Sequence, residues 1–188
     1  PFGWFIPVTP GSKFVSLGGA VSCDVHGKNH HQVGSIYNFI NQLSILNNKG
    51  KIIICSPSKN TDLFNQTIGG MGLFGIITEI ELKLLKIENK YIYVEKNFYK
   101  DLQSLLNSFN THNSWQYTVA WIDFMVRDTE NIKGILYKGR HATNIELPLK
   151  KHKNLLDPIS KKNISIFFKF PSFVLNFFSI KIFNFFYY

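Results

Sequence analysis

The chain has 188 residues, of which 45% are hydrophobic and 15% are aromatic, and its formal net charge is +9. This length and composition are typical of globular proteins and are enough for one ordinary domain or two small ones. The basic excess suggests anionic partners such as phosphorylated ligands, a membrane surface or nucleic acid. The sequence has no block of five or six like charges, so the charge does not predict a nucleic-acid-binding tail.

A ligand cradle is predicted near the start of the chain. Residues 14–17 predict a short strand, and residues 20–24 predict a turn or two of helix that begins at the pair Gly18-Gly19. Glycines let the backbone approach a flat or charged ligand because no Cβ intervenes, and amides at a helix start suit an anion. The hexamer His26-Gly27-Lys28-Asn29-His30-His31 follows and adds polar donors. This hexamer favours a ligand site over a plain strand-to-helix turn.

The histidines of this stretch do not predict a metal site. His26 and His30 would share a face only on a continuous helix, which Gly27 interrupts, and Asp24 is the only acid nearby. Cys23 and Cys55 have neither the spacing of metal ligands nor that of a disulfide framework, so both are expected to be thiols.

The next elements are predicted to form a hairpin, a helix and a strand. A strand over residues 35–46, a turn at 47–50 and a return strand over 52–54 are followed by a helix over 62–67, capped by Asn60 or Thr61. The segment 68–77 then contains the G-x-G-x-x-G pattern, but an alternating strand follows it instead of a long helix. A nicotinamide-binding Rossmann motif is therefore rejected. The three glycines of the pattern are Gly70, Gly72 and Gly75.

A second module is predicted after residue 88. A strand over 91–94, a helix over 98–109 capped by Asn97, and strands over 116–124 and 132–137 are typical of an α+β arrangement. A polar loop is predicted over 142–163.

The strongly apolar segment 164–188 follows this loop. Polar residues interrupt it too often for a membrane span. Two interpretations stay open: the segment lies on a bilayer or lines a lipid-binding surface with its lysines at headgroup level, or it is ordinary core.

Both ends indicate a fragment of a longer protein. The chain has no initiator Met, its first residues have the composition of the middle of a loop, and it ends in Phe185-Phe186-Tyr187-Tyr188. No signal peptide is visible, because the first residues lack a charged start and an apolar core. The expected location is the cytoplasm or the periphery of the inner membrane.

Four motifs together resemble one enzyme family. They are P-V-T-P-G (7–11), V-S-L-G-G-A-V-S-C-D-V-H-G-K-N-H-H (15–31), D-L-F-N-Q-T-I-G-G-M-G-L-F-G-I-I (62–77) and Y-T-V-A-W-I-D (117–123). The combination resembles the decaprenylphosphoryl-β-D-ribose 2′-oxidases of the vanillyl-alcohol-oxidase superfamily of FAD-linked enzymes. Sugar-lactone oxidases of that superfamily usually carry T-G-(T/S)-H-G where this chain has Cys23-Asp24-Val25-His26-Gly27. The resemblance covers residues 7 to about 140, and the rest of the chain more loosely.

The resemblance implies an α+β fold with two partial domains. Residues 1–88 would be the C-terminal part of a PCMH-type FAD-binding domain, and residues 89–188 the start of an α+β substrate domain. His26, Lys28 and Trp121 would face the sugar pocket. The family's pyrophosphate loop would lie before residue 1 and its catalytic base beyond residue 188, so no catalytic residue is assigned in the chain and the chain alone is expected to be inactive. The residues that would line FAD, largely through backbone, are Gly11, Ser16, Leu17, Gly18, Gly19, Cys23, Asp24, Val25, His26 and Ile77.

The resemblance also implies a reaction. Noncovalently held FAD would accept a hydride from the 2′ carbon of a polyprenyl-phosphoryl ribose, and a partner reductase would convert the keto sugar to arabinose for cell-wall arabinan. Covalent attachment of FAD through His or Cys, as in some relatives, stays open. The alternatives are an aldonolactone or alditol oxidase of the same superfamily, a flavin-free structural relative, and a nucleic-acid-binding module. The last lacks clustered Lys or Arg and any recognisable motif.

Overall fold

The computed structural model describes residues 2–112, 114–126, 132–157, 169 and 171–188. It mixes helices and strands, which confirms the coarse α+β prediction. The chain forms two compact units, Pro1–Glu88 and Asn89–Tyr188. The assignment of these units to a FAD-binding domain and a substrate domain stays a prediction.

The first unit is built on a three-stranded antiparallel sheet with the order β3-β2-β4, and β1 pairs separately with β5. Three short helices and a 3-10 turn at Ile36–Phe39 connect these strands. The strands are β1 (Trp4–Phe5), β2 (Ile40–Leu46), β3 (Ile52–Cys55), β4 (Ile76–Leu82) and β5 (Leu85–Lys86), and the helices are α1 (Leu17–Ser22), α2 (His30–Val33) and α3 (Thr61–Thr67).

The core of the first unit surrounds β2. This strand is paired on both sides, so Leu43 lies between Cys55 and Ile80 in the sheet and is fully buried. Burial raises the pKa of the Cys55 thiol. Both cysteines are free, as predicted. The core cluster consists of Val8, Ala20, Val21, Ile36, Ile40, Leu43, Ile45, Cys55, Phe64 and Ile68.

The hairpin between β2 and β3 is confirmed, but the prediction for residues 14–17 is wrong. Leu17 begins α1, because the Ser16 hydroxyl accepts a hydrogen bond from Gly19 N at 3.1 Å and caps the helix. Gly18 and Gly19 therefore lie inside the first turn of α1 and do not precede it. The strand predicted from residue 35 begins only at Ile40, after the 3-10 turn.

The predicted cap of α3 is confirmed for Asn60, which is the N-cap residue of the helix. The helix begins at Thr61, after Asn60, whose φ of 50° is left-handed. The Asn60 side chain donates to the carbonyl of Ile54 at 2.8 Å and makes no capping hydrogen bond. Asn60 thus ties the start of α3 to the end of β3.

The second unit contains an antiparallel sheet with the order β6-β8-β7. Helix α4 packs on this sheet where Gly134 allows a close approach, since a Cβ there would lie 2.6 Å from Leu105 Cδ2. The elements are β6 (Ile92–Tyr99), α4 (Leu102–Thr111), β7 (Tyr117–Ile122), β8 (Gly134–His141) and α5 (Phe177–Tyr187), with 3-10 turns at Asn144–Glu146, Leu149–Lys151 and Ser172–Val174.

The helix predicted over residues 98–109 begins later. Asp101 caps α4, with its carboxylate accepting from Ser104 N at 2.7 Å, and Phe98 belongs to β6 opposite Ile135. Phe98 has the spacing of a helix residue, but its pairing with the central strand β8 places it in a strand. The ends of β7 and β8 also differ from the predicted 116–124 and 132–137. Residues 158–163 of the predicted loop, and residues 164–168 and 170 of the apolar segment, lie outside the described residues.

Helix α5 packs against the sheet of the second unit. Asn184 is buried and donates to the Asp123 carboxylate at 2.6 Å, and the rings of Trp121 and Tyr187 have centroids 5.0 Å apart. The Tyr188 hydroxyl donates to the carbonyl of Tyr99 at 3.3 Å. In the described part of the chain, no helix combines the length and the apolar character needed to cross a bilayer.

The contact between Tyr137 and Tyr187 predicts a measurable titration. The Tyr137 hydroxyl donates to that of Tyr187 at 3.2 Å, and this hydrogen bond raises the pKa of Tyr137 to about 12, from an ordinary 10.0. The neutral phenol is favoured in the folded state, so its contribution to stability is constant below pH 10.0 and is lost as the pH rises through about 12. We expect Tyr187→Phe to return the pKa of Tyr137 toward its ordinary value.

The ζ-carbon NMR shifts of labelled tyrosine would follow Tyr137 individually. Tyr93→Phe is the control, since Tyr93 pairs with Arg140 in the sheet and is expected to leave Tyr137 unchanged. An ordinary Tyr137 titration in the unmodified chain would contradict this docking of α5.

Candidate functional site

In the first unit, the end of α1 lies beside the glycine-rich segment 68–77. Gly69 N donates to the carbonyl of Val21 at 3.1 Å, and Met71 N donates to that of Ser22 at 2.8 Å. The Cys23 thiol lies 3.8 Å from the Met71 sulfur. The end of α1 is therefore held against the loop that leads into β4.

A groove of about 570 Å³ lies beside α1. Gly11, Ser16 and Leu17, which were predicted to contact a cofactor, line it. Sequence reasoning missed Phe5 and Lys13, which also line it. The motif P-V-T-P-G (7–11) and the start of the motif at 15–31 are the sequence signals that point to this region. The wall is largely apolar, and Lys13 adds one positive charge.

Gly18 leaves open space on the surface of α1. Among the described residues, no atom outside its own helical turn lies within 4 Å of the place where a Cβ on Gly18 would stand. Gly70 differs, because a Cβ there would lie 2.1 Å from the carbonyl oxygen of Gln66. The fold itself requires glycine at position 70. It does not require glycine at position 18, where alanine would favour the helix by up to about 1 kcal/mol.

Backbone and side-chain hydrogen bonds fix the chain after α1. Asp24 has a φ of 42°, and its carboxylate accepts from Tyr37 N at 3.2 Å. Val25 N donates to the carbonyl of Ala20, the Val25 carbonyl accepts from Ile36 N, and the Val25 side chain packs against the core. These contacts place the exposed His26 opposite Ser35 in an isolated bridge.

The hexamer that begins at His26 divides into exposed and anchoring residues. His26, Lys28 and His30 are exposed, and the rings of the two histidines have centroids 5.0 Å apart. Asn29 is only 2% exposed and donates to the carbonyl of Pro7 at 2.8 Å. Asn29 therefore anchors the hexamer to the P-V-T-P-G motif. Within the described ranges, no three His, Cys, Asp or Glu side chains come close enough together to hold a metal ion.

Two predicted site residues lie in strands. Ile77 lies in β4, where it pairs with Ile45 of β2. Its half-buried side chain packs against the core of the first unit. Trp121 is in β7 of the second unit, opposite Ile135, with its ring near Tyr187. The structure thus brings Cys23 and Asp24 beside the glycine-rich segment 68–77, while Gly18 and Gly19 lie in the first turn of α1 and Ile77 lies in β4.

Comparison with known proteins identifies relatives of this chain. It is 31% identical over 159 residues to the decaprenylphosphoryl-β-D-ribose oxidase of Mycolicibacterium smegmatis, a match that covers 83% of the chain and 35% of that enzyme. It is 29% identical over 136 residues to cytokinin dehydrogenase 3 of Oryza sativa subsp. japonica, covering 72% and 24%. It is 30% identical over 108 residues to the D-arabinono-1,4-lactone oxidase of Debaryomyces hansenii, covering 57% and 17%. No family model matches the sequence.

The chain belongs to the FAD-linked oxidase family. The resemblance that the four motifs indicated is therefore confirmed. The chain spans 35% of the length of the Mycolicibacterium smegmatis relative and smaller shares of the other two. Membership of the FAD-linked oxidases implies a flavin cofactor, and the roles of individual residues toward that flavin stay predictions.

Proposed function

We propose that this chain is part of a FAD-dependent oxidoreductase that oxidises the 2′-hydroxyl of a polyprenyl-phosphoryl ribose to a 2′-keto sugar. The observation that carries the proposal is the 31% identity, over 83% of the chain, to an oxidase named for such a substrate. We further propose that Pro1–Glu88 is the C-terminal part of a PCMH-type FAD-binding domain and that Asn89–Tyr188 begins an α+β substrate domain.

The surface beside α1 fits a flavin. Gly11 and Gly18 both have open space where a Cβ would stand, and the neighbouring groove offers an apolar wall with the Lys13 cation. Flat rings pack on such backbone and apolar surfaces, while a cation suits a diphosphate. FAD, when bound, supplies the hydride acceptor. In this proposal Ser16, Leu17, Gly18 and Gly19 hold the cofactor, and the backbone of 23–26 and Ile77 completes its binding surface.

The substrate contacts are proposed for two exposed polar side chains and one half-buried aromatic ring. Lys28 is exposed and carries the compact positive charge that suits a phosphate. His26 can donate a hydrogen bond to a sugar hydroxyl, and Trp121 offers an aromatic wall. The general base comes from residues other than these three. The keto product would pass to a partner reductase that completes the conversion to arabinose.

A second candidate is an aldonolactone or alditol oxidase. The observation in its favour is the 30% identity over 108 residues to a D-arabinono-1,4-lactone oxidase. Cys23-Asp24-Val25-His26-Gly27 departs from the usual motif of such enzymes, which favours the ribose-oxidising assignment.

Flavin chemistry distinguishes the two candidates. We expect the protein encoded by the longest reading frame containing this chain to be yellow and to release its flavin on acid precipitation, as noncovalent binding requires. Under anaerobic conditions, polyprenyl-phosphoryl ribose should bleach the flavin, whereas an aldonolactone should not. Bleaching by the lactone alone would select the second candidate, and a colourless protein would contradict both.

The exposed face of α5 supports a further proposal, contact with an anionic lipid surface. Phe178, Phe185 and Phe186 are 75–80% exposed. Residues 158–188 contain four lysines and no acidic residue, so the charge of the segment complements anionic headgroups. A polyprenyl-phosphate substrate would be met at such a surface.

Vesicle binding would test this face. We expect the double variant Phe185→Ser, Phe186→Ser to bind phosphatidylglycerol vesicles at least about 10-fold more weakly in co-sedimentation, because each buried Phe contributes about 1.5–3 kcal/mol. Phe14→Ser is the matched control, since Phe14 is 79% exposed in the first unit. Equal binding by all three proteins would contradict the proposal.

A further inference from the structure

A second polar and aromatic pocket lies in the second unit, on the sheet face opposite to Trp121. The uninterrupted register of β6 with β8 pairs Tyr93 with Arg140, and Trp121 in β7 pairs with Ile135. Side chains alternate between the faces of a strand, so positions 135 and 140 of β8 lie on opposite faces. The pocket around Arg140 is therefore separate from the surface proposed for the flavin enzyme's sugar substrate.

Aromatic rings form one side of this pocket. The ring of Trp115, just before β7, is nearly parallel to that of Tyr93, with an angle of 15° and centroids 6.3 Å apart. The Arg140 guanidinium lies 4.8 Å from the Tyr93 ring centroid, and Lys138 Nζ lies 5.1 Å from that of Trp115. Such cation–π contacts favour this arrangement of the two rings and the two cations.

Both cations have carboxylate partners. Lys138, with a side chain only 5% exposed, lies 3.1 Å from the Glu95 carboxylate. Arg140 donates to Glu146 at 2.9 Å, and this bond holds the pKa of Glu146 at about 2. The four charges cancel, so the pocket has no excess positive charge to attract a phosphate. A neutral ligand with many hydroxyl groups matches these groups better.

The size and the polar groups of the pocket limit the ligand. Its volume is about 280 Å³, and Ser114, Trp115, Gln116 and Arg140 line it. This volume is below the range of about 300–1,000 Å³ that drug-sized ligands occupy, so it suits a single small ring. The Gln116 amide is held in place, since its oxygen accepts from His141 N at 3.2 Å.

We propose that this pocket binds one neutral carbohydrate ring. The ring would stack its C–H face on Trp115, and its hydroxyls would meet the side chains of Arg140, Gln116 and Ser114. The site is a binding site without a chemical step and is independent of the proposed flavin reaction. A sugar residue of a larger glycan would enter it as a single unit.

Ligand-observed NMR with the full chain tests the proposal. We expect saturation transfer to at least one of the methyl glycosides of D-glucose, D-galactose and D-arabinose, with a dissociation constant in the range of about 1–10 mM. Trp115→Ala should weaken this binding at least about 10-fold, equivalent to about 1.4 kcal/mol. Trp4→Phe is the control, because Trp4 lies in the first unit and is 53% exposed.

A second variant separates loss of the site from loss of folding. Ser114 is exposed at the pocket, so Ser114→Trp should fill it and abolish binding while circular dichroism stays unchanged. Any of three results would overturn the proposal: no saturable binding of the three glycosides, binding that survives both variants, or displacement of the glycosides by lower concentrations of inorganic phosphate.

Discussion

Replacing Gly18 with alanine is expected to stabilise the first unit and to weaken flavin binding at the same time. The position is helical and its Cβ would meet no described atom of the fold, so alanine should raise the free energy of unfolding by about 0.5–1 kcal/mol. The same methyl group would enter the open space assigned to the flavin. We expect the flavin dissociation constant to rise at least about 10-fold.

Two measurements and one control test the Gly18 prediction. Urea denaturation of the chain measures the gain in stability, and flavin fluorescence measures the affinity of the protein encoded by the longest reading frame. Ser104→Ala is the control, because Ser104 is an exposed residue in the first turn of α4 and should change helix stability only. Unchanged flavin affinity in Gly18→Ala would remove α1 from the binding surface, whereas lower stability would show that the fold requires Gly18.

Replacing Phe64 with alanine is expected to destabilise the first unit by about 3–5 kcal/mol and to leave the stability of the second unchanged. Phe64 is fully buried where α3 packs on the core, and Phe→Ala in a core costs about 3–5 kcal/mol. A unit of this size has a free energy of unfolding of about 5–10 kcal/mol, so the loss consumes much of its stability. Leu105→Ala is the matched change in the second unit, where Leu105 is fully buried beside Gly134.

Hydrogen exchange with mass spectrometry resolves the two units. Phe64→Ala should speed exchange in the peptides of β2, β3 and β4 alone, and Leu105→Ala in those of β6, β7 and β8 alone. Phe14→Ala, at an exposed position, should change stability by less than about 0.5 kcal/mol. If either core variant unfolds both halves of the chain, the division at residue 88 does not describe two independent domains.

Local signals predicted some elements well. The turn between β2 and β3 is determined by short-range chemistry: the Asn47 side chain accepts from Lys49 N and Lys51 N, and Gly50 adopts a φ of 71°. These bonds join residues at most four positions apart, so composition alone indicates them. The prediction for the start of α1 was wrong because the apolar residues Val15 and Leu17 alternate as in a strand. The Ser16 hydroxyl instead caps a helix that begins at Leu17.

Distant pairing accounts for the misplaced start of α4. The spacing of Phe98 with the apolar residues that follow fits a helix, yet Phe98 pairs with Ile135 in the central strand of its sheet. The sequence contains no local sign of a partner so far along the chain. The cap of α4 shifted to Asp101 because β6 occupies the residues before it.

The sequence by itself determined the family, the α+β class and the residue types of the candidate site, because these depend on motifs whose residues are close together in the chain. Only the tertiary structure placed Met71 beside Cys23, 48 residues away, and buried Asn29 as an anchor on Pro7. Only the structure added Phe5 and Lys13 to the groove and put Arg140 and Trp115 around one pocket. The physical reason is that these contacts are hydrogen bonds and ring packing between segments far apart in sequence, and their geometry exists only after the sheets have paired.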